Sequence, residues 1–210
     1  MPTFYDFPMA PSPRRARIVL LEKKISFDTV VINLMEQEQL GDAYRKINPR
    51  CTIPTLALDD GTILDDNASI LAWADAEYPD PPLLGSTPIE RAKVAGWISR
   101  TESEGLMAIA EVLRNSSKRM EGRALPGPDG YEQIPELAER GKKRLAVFWK
   151  ALNEHLKARE YLAGEQFSAA DIVGLVTVDF SKVVKQQPSD EHAELWRWRR
   201  ALDARPSVNG

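Results

Sequence analysis

The stretch Asn48-Pro49-Arg50-Cys51-Thr52-Ile53-Pro54-Thr55-Leu56 sets a proline at the opening of an apolar, β-prone run. Proline cannot donate to a sheet ladder, so its place there needs a reason. With a cis Ile53–Pro54 bond the chain would turn sharply and leave the Ile53 N–H and C=O facing solvent. Those two groups could then pair with an extended peptide, as in strand addition. With a trans bond Pro54 simply starts a strand, and local sequence favours that, since about 5–6 % of X–Pro bonds in folded proteins are cis. Other chemistry is thin. Cys51 is the only cysteine, which excludes an internal disulfide and any multi-cysteine zinc or iron–sulfur site. His155 and His192 stand too far apart for a histidine metal motif, so no metal is expected. With 28 basic and 31 acidic residues, net charge −3, there is no basic excess to neutralise a phosphate backbone, and nucleic acid is not an expected partner.

A peptide-binding backbone edge needs a sheet to hold it, and residues 1–78 read as mixed α/β. Thr3–Phe7 is a short strand, and Pro13–Lys24 an amphipathic helix with Ser12 as its N-cap. Phe27–Leu34 reads as a second strand and Glu36–Lys46 as a weak polar helix. Pro54–Leu58, Asp60-Gly61 and Thr62–Leu64 form a hairpin signal, and Asp66–Tyr78 is helical. The order βαβαββα is the layout of an α+β, thioredoxin-like domain. A Pro-rich linker, residues 79–88, follows. Residues 89–210 then read as all-helical: Ile89–Ser117, Tyr131–Ala158, Ser168–Lys185 and Glu191–Ala204, with Gly122–Gly130 breaking the first pair apart. The first residues show no leader, and no apolar run approaches the length of a membrane span, so a cytoplasmic protein is expected. At 43 % hydrophobic and 28 % charged, 210 residues can bury a core without staples.

INPRCTIPTLALDDGTILDDNASILAW resembles the glutathione-site segment of cytosolic glutathione transferases, commonly NPxGxVPxL, then D-G, then E-S-x-A-I. FSAADI, Phe167–Ile172, resembles the capping motif of that family's helical domain, and RPSV, Arg205–Val208, the end of its last helix. MAPSPRRARIVLLEKK and INLMEQEQ are most similar to the yeast-type transferases and their bacterial relatives. The resemblance covers nearly the whole chain. It implies glutathione as co-substrate, conjugation to small hydrophobic electrophiles, possible glutathione peroxidase activity, a role in detoxification, and a homodimer.

By position, the resemblance makes Pro54 the cis-proline, with Thr52 and the Ile53 backbone beside the cysteinyl unit of glutathione. Asp66 and Asn67 fall where a Glu-Ser pair holds the γ-glutamyl group: a carboxylate for the ammonium, helix-start N–H groups for the carboxylate. Capping accounts for the same two residue types. Gln39 falls where the glycine carboxylate is reached, or is an ordinary solvated residue. The thiol-activating position departs from the pattern. Ala10 occupies the usual serine site, and Ser12 stands two residues on. Its hydroxyl either stabilises a thiolate at a helix start or caps that helix. Asn115 and Ser116 correspond to the stretch where yeast-type enzymes hold an assisting water, or form a polar helix end. Arg14 and Arg17 could add positive potential, though a structural role suits Arg17 better. Cys51, at the pattern's glycine, reads as a small packed residue. Trp73 and Trp149 read as core, and Trp97, Met107 and the 196–198 WRW as core or rim. Phe7, Met9, Leu106 and Leu113 are candidates for the electrophile pocket. The alternative is a non-catalytic module of the same fold, which Ala10 and Asn67 favour and Ile53-Pro54 and Asp66 oppose.

Overall fold

Thr3–Asp6 is a short β-prone run around the aromatic pair Phe4 and Tyr5. In the computed structural model, which describes residues 1–210, it is a central strand with Phe4 and Asp6 buried and Thr3 and Tyr5 half-buried. Strands β1 (Thr3–Asp6), β2 (Asp28–Val31), β3 (Thr55–Ala57) and β4 (Ile63–Leu64) form one sheet in the order β2-β1-β3-β4. β1 and β2 are parallel, Thr3 opposite Asp28, with α1 (Pro11–Glu22) between them in sequence. β3 runs antiparallel to both β1 and β4, with Tyr5 opposite Thr55 and Leu56 opposite Leu64. Helices α2 (Asp42–Arg45) and α3 (Asn67–Glu77) complete the expected βαβαββα order.

This sheet and its helices make up one unit, residues 1–81 with 126–129 and 210. Phe4, Ile18, Leu20, Leu56 and Ile70 are fully buried in it. α1 is tied to the end of α3 by a buried lysine. Lys23 Nζ donates to Asp75 Oδ1 at 2.6 Å and to the carbonyls of Tyr78, at 2.7 Å, and Pro81. Three oxygens around one ammonium satisfy its three donors, the condition for burying such a charge.

The second unit, residues 82–125 and 130–209, is helical. It holds α4 (Pro88–Arg100), α5 (Met107–Ser116), α6 (Pro135–Leu156), α7 (Ala169–Phe180) and α8 (Ala193–Ala201). α5 and α6 cross closely because Gly141 has no side chain: a Cβ there would lie 2.7 Å from the Ala108 carbonyl oxygen. α7 is apolar all round and buried along its whole length up to Val178. Its N-cap is a capping box between Ser168 and Asp171. Asp171, with no exposed surface, accepts from Leu162 N at 2.9 Å, Ser168 N at 3.0 Å, Ser168 Oγ at 3.1 Å and Trp198 Nε1 at 3.0 Å. One carboxylate thus joins the loop before α7, α7 itself and α8. Burial pushes its pKa up, against the pull of these donors. No helix is long and apolar enough to cross a membrane.

Several expected elements come out shorter. The strand expected over Phe27–Leu34 is Asp28–Val31, an edge strand with all four residues exposed. It ends because Asn33 turns the chain, accepting from Met35 N at 3.0 Å and donating to Glu38 Oε2 at 2.6 Å. The polar helix expected over Glu36–Lys46 is broken by Gln37, at φ 60, and by Gly41 into a single 3-10 turn, Glu38–Leu40, and the one-turn α2. The helix expected over Ile89–Ser117 widens into a π-helical stretch, Thr101–Leu106, between α4 and α5. The helix expected from Tyr131 begins at Pro135, since Tyr131 bridges back to Arg123 instead. α1 starts at Pro11, so Ser12 lies inside the first turn and Ala10 takes the N-cap position without a side-chain bond. Trp73, expected in the core, is half-buried against the edge of Tyr78.

Asp171→Ala strands four donors in a sealed site. At about 1–3 kcal/mol for each unsatisfied buried group, the loss of unfolding free energy should reach several kcal/mol. Urea titration measures it; a loss below about 1 kcal/mol would mean the donors find water instead.

Candidate active site

The segment singled out in the sequence is held by a network of side chains from α2 and the turn after it. Tyr44 Oη donates to the Thr52 carbonyl at 2.7 Å and lies 2.8 Å from Thr55 Oγ1. Asn48 Nδ2 donates to the same carbonyl at 2.9 Å and to Thr55 Oγ1 at 3.1 Å, while its Oδ1 accepts from Arg50 N at 2.9 Å. The proton count is closed. A tyrosine hydroxyl has one proton, and the Thr52 carbonyl can only accept, so the Thr55 hydroxyl must donate to Tyr44. Burial pushes the Tyr44 pKa up to about 12, which keeps it a donor at neutral pH.

Thr52 and Thr55 flank Ile53 and Pro54, so the network clamps both sides of that pair. The Ile53–Pro54 bond is cis. The sheet ladder begins only at Thr55, and the N–H and C=O of Ile53 have no partner within the chain. Its side chain is 9 % exposed and packs in a cluster with Tyr44 and Ile32, against which Tyr5, Phe7, Ala10 and Leu34 lie. A buried side chain and an unpaired backbone make a rigid edge that offers one donor and one acceptor to a peptide. Cys51, buried, takes φ 54, a left-handed conformation that a glycine adopts without cost. Its Sγ lies 3.6 Å from the Pro49 carbonyl, which fits the packed reading of this thiol.

Beside this edge is the start of α3. Asp66 caps it: Oδ1 accepts from Ser69 N at 2.8 Å, and the Ser69 hydroxyl donates to the Asp66 carbonyl at 3.0 Å. The Ser69 N–H, with smaller contributions from the Ser69 hydroxyl and the Arg50 charge, holds the Asp66 carboxyl below its usual range. Oδ2 stays free of the cap, with Arg50 Nη1 3.6 Å away. The cap therefore uses one oxygen and leaves the other available to a ligand. Arg50 also reaches Asp65 at 3.5 Å, linking the Cys51–Pro54 loop to the start of α3 through a largely exposed, weak pair. The Oδ1 of Asn67 and the Oε1 of Gln39 are sealed without a protein partner. Gln39 is buried, which excludes the solvated reading of this residue.

Ser12 sits in the first turn of α1, where no acidic residue offsets the positive end of the helix dipole. Its Oγ accepts from Arg15 Nη2 at 3.2 Å. That contact leaves the hydroxyl proton available and polarises it. Arg17 pairs with the buried Asp6 and donates to the Gly210 carbonyl at 3.3 Å, so its role is structural. Phe7 is half-buried beside Ile53, and Met9 is 71 % exposed.

In the helical unit, Leu106 and Leu113 are half-buried. Asn115, expected to hold a water, is instead a buried staple: Nδ2 donates to the Glu111 carbonyl at 2.9 Å, and Oδ1 accepts from Ile134 N at 2.9 Å. Ser116 donates back to the Val112 carbonyl at 2.7 Å, so only its acceptor lone pairs remain. Trp97 lines a cavity of about 630 Å³ with Lys93, His155 and Arg159, and stacks on His155 at 4.1 Å between ring centres. Among the groups that hold the site, Tyr44, Ser69 and Arg15 carried no expectation. Tyr44 and Asn48, one helical turn apart before a proline-led strand, are the signal that was there to use.

Comparison with known proteins gives one consistent answer. The family model of the glutathione S-transferase N-terminal domain matches residues 10–77, and that of the C-terminal domain residues 109–206. Glutathione S-transferase 2 of Saccharomyces cerevisiae is 31% identical over 207 residues, 97% of this chain and 86% of that protein. Among solved structures, Gtt2 from Saccharomyces cerevisiae is similar with TM-score 0.89 at 30% identity, covering 99% of this chain and 98% of that one. A glutathione S-transferase domain-containing protein of Marinobacter aquaeolei VT8 is similar with TM-score 0.88 at 31% identity, covering 98% and 99%.

Tyr44→Phe removes one buried hydroxyl and leaves Thr55 without an acceptor for its proton. Unfolding free energy should fall by about 1–3 kcal/mol. Denaturant titration measures the loss, and a variant as stable as wild type would remove Tyr44 from the clamp.

Proposed function

The chain belongs to the glutathione S-transferase family, and from that premise we propose which of its residues bind glutathione, which activates its thiol, and what the thiol attacks. The enzyme is a glutathione transferase with glutathione as co-substrate. The observation that carries the site assignment is the unpaired Ile53 backbone, fixed between Thr52 and Thr55. The cysteinyl unit of glutathione pairs with it in antiparallel fashion. Asp66 Oδ2 takes the α-ammonium of the γ-glutamyl group, and the free N–H of Asn67 at the start of α3 takes its carboxylate. The buried Gln39 amide reaches the glycine carboxylate.

The thiol is then held near the first turn of α1. There the helix dipole, the unsatisfied N–H groups and the Ser12 hydroxyl all favour the thiolate over the thiol. Arg15 donates into the Ser12 oxygen at 3.2 Å, which strengthens the hydroxyl as a donor. Each unit by which the thiol pKa falls corresponds to about 1.4 kcal/mol of differential stabilisation. The thiolate sulfur attacks the electrophilic carbon and a C–S bond forms. In a substitution the leaving group departs with its electron pair; in an addition the new carbanion takes a proton from water. Orientation and thiolate stabilisation are the enzyme's contribution, with no covalent enzyme intermediate.

The electrophile is small and largely apolar, in keeping with Phe7 beside Ile53 and the exposed Met9. The same reading includes a homodimer in the cytoplasm, checked by sedimentation equilibrium and cell fractionation. Thiol activation is assigned to Ser12 and the helix start, since Asn115 uses both its Nδ2 and its Oδ1 within the helical unit.

Ser12→Ala should raise the pKa of bound glutathione's thiol by about one unit. Turnover should fall at neutral pH and recover as pH rises, because base then ionises the thiol unaided. Ultraviolet thiolate absorbance against pH, in wild type and variant, measures the shift. Overlapping titrations would leave the helix terminus alone as the activating device.

A further inference from the structure

The cavity of about 630 Å³ beside Trp97 lies wholly within the helical unit, between α4, the end of α6 and the loop before α7. Its volume is that of a small-molecule site. Its floor is fixed by hydrogen bonding and stacking. Leu162 is buried, and its carbonyl oxygen lies 2.8 Å from His155 Nε2. A carbonyl can only accept, so Nε2 carries the proton and Nδ1 is left as an acceptor. Burial, with the charges of Arg159 and Arg100, holds the His155 pKa below its usual value, so Nδ1 keeps its lone pair at neutral pH. Nδ1 has no partner within the chain and is not sealed from solvent.

The two walls differ in chemistry. Lys93 and Trp97, one turn apart on α4, share a face of that helix, and both are donors. The Lys93 ammonium has no carboxylate within 4.0 Å, and the Trp97 indole N–H has no acceptor within the chain. The loop before α7 brings two acceptors, Glu160 and Glu165, neither with a cation within 4.0 Å. Arg159, the one cation on that side, is committed to the end of α6, where its Nη1 donates to the His155 carbonyl at 2.9 Å. Charged donors on one wall and charged acceptors on the other, none paired with another, complement a ligand that carries both charges. The Trp97 ring and the Leu162 side chain between them suit an apolar body.

We propose that this cavity binds a small zwitterion, an α-amino acid with an apolar side chain. Its carboxylate accepts from the Lys93 ammonium and the Trp97 N–H. Its ammonium donates to the Glu165 carboxylate and to His155 Nδ1. The site uses none of the residues assigned to glutathione, and its occupation needs no conjugation chemistry.

Three probes of matched shape test it: L-phenylalanine, 3-phenylpropanoate, which keeps only the carboxylate, and 2-phenylethylamine, which keeps only the ammonium. His155 and His192 are the only histidines, so imidazole NMR signals report on the cavity with His192, which does not line it, as the reference. L-phenylalanine should shift the His155 signals to saturation, leave those of His192 in place, and bind at least about fivefold more tightly than either analogue. Each analogue lacks one charged hydrogen bond at a partly exposed site. Lys93 and Glu165 are exposed and unpaired, so replacing either leaves the fold intact. Lys93→Gln should weaken L-phenylalanine and 3-phenylpropanoate by about fivefold or more and leave 2-phenylethylamine within about twofold. Glu165→Gln should weaken L-phenylalanine and 2-phenylethylamine and spare 3-phenylpropanoate. His155 signals that do not move, a singly charged analogue that binds as tightly as L-phenylalanine, or a variant that weakens all three probes alike would overturn the proposal.

Discussion

The Thr52 carbonyl is the point on which the proposed glutathione site depends. It accepts from Tyr44 Oη and from Asn48 Nδ2, and the same two side chains hold the Thr55 hydroxyl. Fixing the peptide before Ile53 and the residue after Pro54 leaves that pair little freedom. The sheet contributes the frame, since β3 is locked between β1 and β4 from Thr55 onward. The groups proposed to bind the ligand are backbone atoms, and backbone atoms are only as well placed as the residues that hold them. The start of α3 is built on the same plan. Asp66 uses one oxygen to fix its helix and keeps the other at the surface.

The helical unit is organised by a different device with the same logic. Asp171 gathers four donors from three separate segments, and its charge is tolerated because every one of them points at it. Asn115 does a smaller version of this work, joining the end of α5 to the start of α6. Arg199 shows the same device with a cation at its centre, its guanidinium met by Asp179 at 2.8 Å and by Asp203 at 2.6 Å.

The order of elements was legible in the sequence because periodicity and turn residues mark strands and helices directly. The capping box before α7 was legible as a short local pattern, whereas the cis Ile53–Pro54 bond was legible only through the family resemblance, since local sequence favours trans. The ends of elements were not. Ser12 read as an N-cap, but a proline at position 11 lets the helix start earlier, at a residue that offers no side-chain cap. Asn115 and Ser116 read as a water site because their side chains are polar and near a helix end. Their partners, Ile134 N above all, come from a segment 19 residues away that local sequence does not reveal. Tyr44 was missed because an aromatic residue on a short helix reads as packing. Its hydroxyl matters only once the fold brings Thr52 and Thr55 under it.

The central claim is that glutathione pairs with the Ile53 backbone. Amide hydrogen exchange of Ile53, followed by NMR with and without saturating glutathione, tests it most directly. In the free protein this N–H has no acceptor and should exchange quickly for so ordered a segment. With glutathione bound, its exchange should slow by about tenfold or more, as one new hydrogen bond worth about 1–1.5 kcal/mol requires. Glutathione bound at saturation with the Ile53 exchange rate unchanged would contradict the account.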